Sequence, residues 1–197
     1  RMREYEIDDS AFIGGWYIPE KVCDELIELF QTSQDRWVSG RVGDKENPNG
    51  VVDPEWKKST ELYIRPDEFF KLLTYFPHLN NCINEYRKKF PHCDKVNGWG
   101  ITTPIKIQHY KPGEGFYKWH AENTGDKGFM SRHLVFMTYL NTLDNAGTDF
   151  YHQKHTTPCQ KGLTLIWPAG WTHSHRGVTN HTSDKYIITG WYDFYDQ

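Results

Sequence analysis

Four runs rich in β-branched and aromatic residues, at 101–110, 133–140, 163–167 and 185–192, occupy the second half of the chain. Most are bounded by Gly, Pro, Asn or Asp, and runs of this kind predict β-strands. Before Pro91 the texture is helical. From Pro19 to Phe30, Val22, Leu26, Leu29 and Phe30 fall on one stripe, with a proline near the first turn and acidic residues early, which predicts an amphipathic helix. A second helical region runs from Pro66 through Phe69, Phe70, Leu72 and Leu73, and a third from about His78 to Lys89, where Leu79, Ile83 and Tyr86 share a face. Between the first two, residues 40–58 are rich in Gly, Asn, Asp and Pro, which predicts a long mobile loop of the kind that serves as a lid or binding loop. Helices followed by strands predict an α+β chain whose C-terminal half is a sandwich or barrel able to hold a small ligand in its mouth. At 197 residues the expectation is one domain, with 1–95 as mainly helical support and 99–197 as the β core.

Composition removes several functional classes. A net charge of −3, from 23 basic and 26 acidic residues spread along the chain, argues against a nucleic-acid-coating surface. No apolar run approaches the ~20 residues of a membrane span, and Arg1-Met2-Arg3-Glu4 leads into no signal-peptide core, so a cytoplasmic protein without membrane contact is expected. Cys23, Cys82, Cys93 and Cys159 form no CxxC pair and are read as free thiols. The 8 Trp, 12 Tyr, 11 Phe and 10 His are enough to line a pocket as well as fill a core.

Two His-x-acid pairs occur, His120-Ala121-Glu122 and His92-Cys93-Asp94, against about 1.3 expected by chance from this composition. Context separates them. His92 follows a basic helix end, whereas His120 closes an aromatic-rich, Gly-containing turn between strands, and residues two apart in extended chain face one side. A third ligand from another strand is offered by Trp171-Thr172-His173-Ser174-His175. Two imidazoles and one carboxylate suit the facial triad of non-haem Fe(II) oxygenases, and they suit catalytic zinc as well. Lys185 opens an otherwise apolar strand ten residues past His175; buried there, its ammonium would call for an anionic partner, and a bound carboxylate would serve. Asp149, His152 and His155 are read as lying outside the metal site.

The run from Ile107 to Tyr192 resembles the catalytic core of the Fe(II)/2-oxoglutarate-dependent dioxygenases, most of all the prolyl 4-hydroxylase branch in its small bacterial and phage form. The motif Y-x-x-G-x-x-Y-x-x-H-x-D corresponds, with one extra residue after the glycine and Glu for Asp, to Tyr110 through Gly113, Tyr117 and His120 to Glu122. The strand R-x6-Y-L-N corresponds to Arg132 through Asn141, and an altered G-x-T-x-F turn to Gly147–Phe150. The distal H-x-G with a basic residue ten positions on corresponds to His175, Gly177 and Lys185, and this spacing prefers His175 over His173. The resemblance implies a double-stranded β-helix, a jelly-roll or cupin-like barrel, with supporting N-terminal helices. It implies that His120, Glu122 and His175 bind Fe(II), and that Lys185, Tyr110, Tyr139 and Thr189 contact 2-oxoglutarate. O2 is then the oxidant, ascorbate a reductant, and a prolyl residue in a peptide or protein the substrate, with Tyr117, Arg176 and Trp191 against it. Hydroxylation of another amino acid, a small metabolite or a nucleobase is the alternative on the same scaffold. The rivals outside this chemistry are a non-catalytic cupin-like binding module and, further off, a zinc hydrolase.

Overall fold

The computed structural model describes residues 1–196. Its strands are β1 (Gly14–Tyr17), β2 (Val38–Ser39), β3 (Lys57–Lys58), β4 (Thr60–Ile64), β5 (Trp99–Gly100), β6 (Ile105–Tyr110), β7 (Gly115–Phe116), β8 (Arg132–Tyr139), β9 (Thr148–Phe150), β10 (His155–Thr156), β11 (Leu163–Pro168), β12 (His175–Gly177) and β13 (Lys185–Phe194). Helices α1 (Glu20–Gln31) and α2 (Phe76–Lys89) lie among the first five strands. A large antiparallel sheet runs in the order β1-β11-β8-β13-β6-β4-β2, with β5 also on β13, and faces a small sheet of order β10-β9-β12. A third, two-stranded piece joins β3 to β7. Strands of one sheet returning into the opposite one make the double-stranded β-helix expected from the sequence.

Both faces of the large sheet are covered, so its strands read as nearly unbroken apolar runs rather than as alternating ones. Along β8, Leu134 and Phe136 pack outward under the helices, while Val135, Met137 and Tyr139 point between the sheets. Along β13, Ile188 and Tyr192 belong to the helix-side layer, and Ile187 and Trp191 to the interior. Helix α1 starts after Pro19 and buries Val22, Cys23, Leu26 and Phe30. Helix α2 buries Leu79, Cys82, Ile83 and Tyr86 and ends on Arg87, Lys88 and Lys89, where cations face the negative end of the helix dipole. The four cysteines are free. No helix among the described residues is long and apolar enough to cross a membrane.

Three features differ from the sequence reading. The first half adds strands to its helices: β1 pairs with β11 at one edge of the large sheet, and β4 pairs with β6 toward the other. β1 holds two glycines in four residues and lacks a strand-like composition, whereas β4 has Thr60, Tyr63 and Ile64 around the buried Glu61 but spans only five residues; the hydrogen-bond partners of both come from more than 40 residues away. The helical stretch after Pro66 is a run of 3-10 turns, Pro66–Leu72, in which only Leu72 is buried and Phe70 is exposed. The segment 40–58 is also folded in part. Val42 and Val51 exchange backbone hydrogen bonds at 2.8 and 2.9 Å, and the hairpin turns at Gly50 (φ 75°), where a Cβ would come within 2.4 Å of the Val42 carbonyl oxygen.

Candidate active site

Between the two sheets lies a cavity of about 1030 Å³. Its floor is built by strand alternation. Lys106, Gln108 and Tyr110 of β6 and Lys185, Ile187, Thr189, Trp191 and Asp193 of β13 all project into it. The register places Tyr110 opposite Lys185 and Lys106 opposite Thr189. The hairpin 40–58 supplies one wall and residues 124–129 another, and the two walls touch where Gly128 packs on the Pro48 backbone.

His120 and His175 meet across the cavity in an isolated bridge, each backbone N–H donating to the other's carbonyl at 3.0 and 2.9 Å. The Glu122 N–H donates to the Ala169 carbonyl at 3.1 Å, fixing the carboxylate beside them. His120 Nδ1 lies 2.8 Å from the Lys118 carbonyl oxygen, and His175 Nδ1 lies 2.8 Å from that of His173. A carbonyl can only accept, so each Nδ1 carries a hydrogen and each Nε2 is left to face the cluster. Glu122 Oε1 is 3.1 Å from His175 Nε2 and 3.7 Å from His120 Nε2. One donor atom from each of the three residues falls within 4.8 Å of the others. Such a set of converging lone pairs calls for a cation among them, and its donors fit a divalent metal held on one face with other positions open. Burial, with the neighbouring His175, pushes the His120 imidazole down to about 3, so it stays neutral and able to ligate. Burial alone would raise the Glu122 carboxyl, but its contacts with His175, His120 and Arg132 hold it below the usual carboxylate range.

Lys185 lines the same cavity. It is 7% exposed, and its ammonium makes no hydrogen bond or ion pair with any described residue; the Tyr110 and Tyr139 rings, at 5.8 and 5.7 Å, are its polar surroundings. Burial pushes its pKa down to about 8. A buried cation without a counter-ion is expensive, so the position fits the carboxylate of a bound dicarboxylic acid.

Residues 105–193 match the family described as the 2OG-Fe(II) oxygenase superfamily. The oxygenase fold is shared with solved prolyl hydroxylases. The viral collagen prolyl hydroxylase of Paramecium Bursaria Chlorella virus-1, in its 2OG complex, superposes with a TM-score of 0.69 at 16% identity, over 96% of this chain and 100% of that one. A Pseudomonas putida prolyl-4-hydroxylase gives 0.66 at 11% identity over 93% of each chain. A Trichoplax adhaerens prolyl hydroxylase, in complex with a hypoxia inducible factor oxygen degradation domain peptide fragment, gives 0.65 at 16% identity over 98% of this chain and 82% of that one. No curated protein matches the sequence significantly. The family implies Fe(II), 2-oxoglutarate and O2 as cofactor and co-substrates, in keeping with the His-Glu-His cluster and the free ammonium.

The fold brings some of the expected residues together and leaves others aside. His120, Glu122, His175, Tyr110, Lys185, Thr189 and Trp191 all line one cavity. The Tyr110 hydroxyl donates to Gln108 Oε1 at 2.9 Å, so the extra residue after Gly113 does not displace this tyrosine from the site. Tyr139 is fully buried and does not itself line the cavity; its ring lies 5.7 Å from the Lys185 ammonium, and its hydroxyl is bonded to Thr148 and Thr157 at 2.6 and 2.7 Å. The Thr189 hydroxyl donates to the Phe136 carbonyl at 2.9 Å and keeps only acceptor capacity. Tyr117 turns its hydroxyl back onto the Gly113 carbonyl and does not line the cavity. Arg176 lies outside as well, pairing with Asp149 at 3.4 Å and resting 4.3 Å from the Trp119 ring centre. Residue 173 ends a 3-10 turn rather than lying in a strand, so His173 does not share a side with His175; its Nε2 donates to the Ala11 carbonyl at 2.7 Å. His92 is exposed and apart from the site. His155 bonds Tyr5 at 2.7 Å, away from the metal cluster.

The sequence reading missed Phe116, whose ring stacks on His120 at 3.5 Å, and the polar positions Lys106 and Gln108. The last two were legible in the alternation Ile105-Lys106-Ile107-Gln108, where polar side chains share the face of Tyr110. Arg132 spans the site: its Nη1 donates to the Glu122 carbonyl at 3.0 Å and approaches the carboxylate at 3.7 Å, and its guanidinium stacks 3.6 Å from the Trp191 ring centre.

Proposed function

We propose that this chain, acting as a single domain, hydroxylates an unactivated C–H bond of a prolyl residue in a peptide or protein, with release of succinate and CO2. The observation that carries the reading is one cavity lined both by a converging His-Glu-His set and by a buried ammonium without a partner. In this reading His120, Glu122 and His175 hold Fe(II), and Lys185 pairs with the distal carboxylate of 2-oxoglutarate beside Tyr110. Bound there, iron and 2-oxoglutarate supply the oxidative decarboxylation that inserts one oxygen atom of O2 into the substrate.

The protein's own part is positioning and shielding. The carbonyls of Lys118 and His173 fix the tautomer and aim of the two imidazoles, and Phe116 packs flat against one of them. Arg132 ties Glu122 to Trp191 and so relates the metal side of the cavity to the floor on which substrate would lie. The hairpin 40–58 and the segment 124–129 wall the mouth and limit water, leaving a trough large enough for a stretch of polypeptide. The likeness in fold to prolyl hydroxylases supports proline as the target. The test is incubation with Fe(II), 2-oxoglutarate and, in parallel, proline-containing peptides, free amino acids and oligonucleotides, following succinate release and the mass of each candidate. Substrate-dependent succinate with one added oxygen on a prolyl residue is expected; coupling only to another class would replace the prolyl assignment, and no coupling to any would refute it.

A further inference from the structure

The cavity holds a second cation that the chemistry above does not use. Lys106 lies four residues from Tyr110 on β6, which at ~3.3 Å per residue places it ~13 Å along the floor from the Lys185 end. Its ammonium stands 4.9 Å from the Tyr63 ring centre and 5.0 Å from that of Trp191, and no carboxylate of a described residue approaches it within 4.0 Å. The nearby acids attract Lys106 from a distance without bonding to it. Glu61 binds Lys57 at 2.6 Å and the Ser59 hydroxyl at 2.8 Å through Oε2, while its buried Oε1 has no partner. Asp193 accepts from Thr103 at 2.7 Å and Ser131 at 3.3 Å, and Arg132 bonds Glu122. On the same wall the indole N–H of Trp191, a cavity residue 93% buried, has no acceptor. A cation and an unpaired N–H donor therefore line the same cavity, at the other end of the β6–β13 register from Lys185.

We propose that Lys106 and the Trp191 N–H form an anion subsite on the substrate side of the cavity, and that the substrate carries a carboxylate that docks there. The inference rests on the oxygenase reading of this cavity and narrows its substrate class to carboxylate-bearing molecules. Two sources share that chemistry: an Asp or Glu beside the target residue of an acidic peptide, and a free α-carboxylate at a C-terminus or on a free amino acid. A cation held over two aromatic faces has already shed part of its water, so a carboxylate arriving there meets a partly desolvated partner.

The experiment measures anaerobic binding to the full chain loaded with Mn(II) and 2-oxoglutarate, by calorimetry. The probes are proline peptides with amidated ends, the same peptides with a flanking Glu or its Gln isostere, peptides with a free C-terminus, and free proline. At least one carboxylate form is expected to bind tenfold or more tightly than its amide isostere. Lys106→Met should erase that preference while the dissociation constant of 2-oxoglutarate moves less than twofold, and Lys106→Arg should retain it. Preference for the flanking Glu assigns the acidic peptide, and preference for the free carboxylate assigns the terminus or amino acid. Equal binding of carboxylate and amide forms, or a preference that survives in Lys106→Met, overturns the inference. Hydroxylation of neutral and acidic proline peptides alike would sink this subsite and leave prolyl hydroxylation standing. A Lys106-dependent carboxylate preference without hydroxylation of any proline compound would do the reverse.

Discussion

Replacing Lys185 with Met should weaken 2-oxoglutarate binding and stabilise the protein at once. The Lys185 pKa, lowered from 10.5 to about 8 by burial, corresponds to about 3 kcal/mol spent in folding to keep the ammonium charged without a partner. Because the lysine is already desolvated before co-substrate arrives, the carboxylate meets it at full strength. Truncating one member of such a pair costs ~2–5 kcal/mol of binding, and the prior desolvation places this case at the upper end, ~3–5 kcal/mol, or about 150- to 4000-fold in Kd. The same substitution relieves the fold of its unpaired charge, raising stability near neutral pH by up to about 3 kcal/mol. The pH dependence follows in sign. Above pH ~8 the free enzyme loses the Lys185 proton while the complex retains it, so Kd rises with pH in that range, and the Met variant should show no such rise. Anaerobic calorimetry with Mn(II) and 2-oxoglutarate from pH 6.5 to 9.5, beside urea unfolding at pH 7, reads both effects. A Met variant that binds within threefold of the wild type, or that unfolds at lower urea, would refute this account of the buried ammonium.

Other consequences follow from particular contacts. His120→Ala and Glu122→Gln should abolish both metal binding and succinate formation, whereas His92→Ala should leave both intact and His173→Ala should cost stability, ~1–3 kcal/mol, but not the metal; equilibrium dialysis against Mn(II) separates these cases. Tyr139→Phe unties Thr148 and Thr157 and should lower stability by ~1–3 kcal/mol while changing 2-oxoglutarate affinity less than threefold, a combination that a direct co-substrate contact would not produce. Glu61→Gln strands the buried Lys57 ammonium and should cost ~3–5 kcal/mol in urea unfolding, while the double change Lys57→Met with Glu61→Leu should recover most of that loss. If the single and double variants lose equal stability, the loss does not come from a stranded Lys57 charge.

What was legible in the sequence is what depends on local chemistry and spacing. The four β-rich runs became β6, β8, β11 and β13, because β-branched and aromatic side chains suit a pleated surface whatever their partners. The stripes of α1 and α2 survive because helical period is local. The spacing from His120 to Glu122 and from His175 to Lys185 carried the site, since a shared metal and a shared anion constrain residue type at fixed intervals.

The tertiary structure decided the rest, wherever the determining partner is distant in sequence. Strands β1 and β4 exist because β11 and β6 offer them hydrogen-bond edges, not because Gly14-Gly15 or Glu61 favour extended chain. His173 lost to His175 through a 3-10 turn and a carbonyl 162 residues away, that of Ala11. Tyr139 was drawn off the cavity by two threonines on the facing sheet, and Tyr117 and Arg176 found their partners outside the cavity, in the Gly113 carbonyl and Asp149. The sequence by itself determined which residues have the chemistry to bind a metal and an anion. Which of them share a cavity was settled only by packing, because hydrogen bonds and buried charges are satisfied across space rather than along the chain.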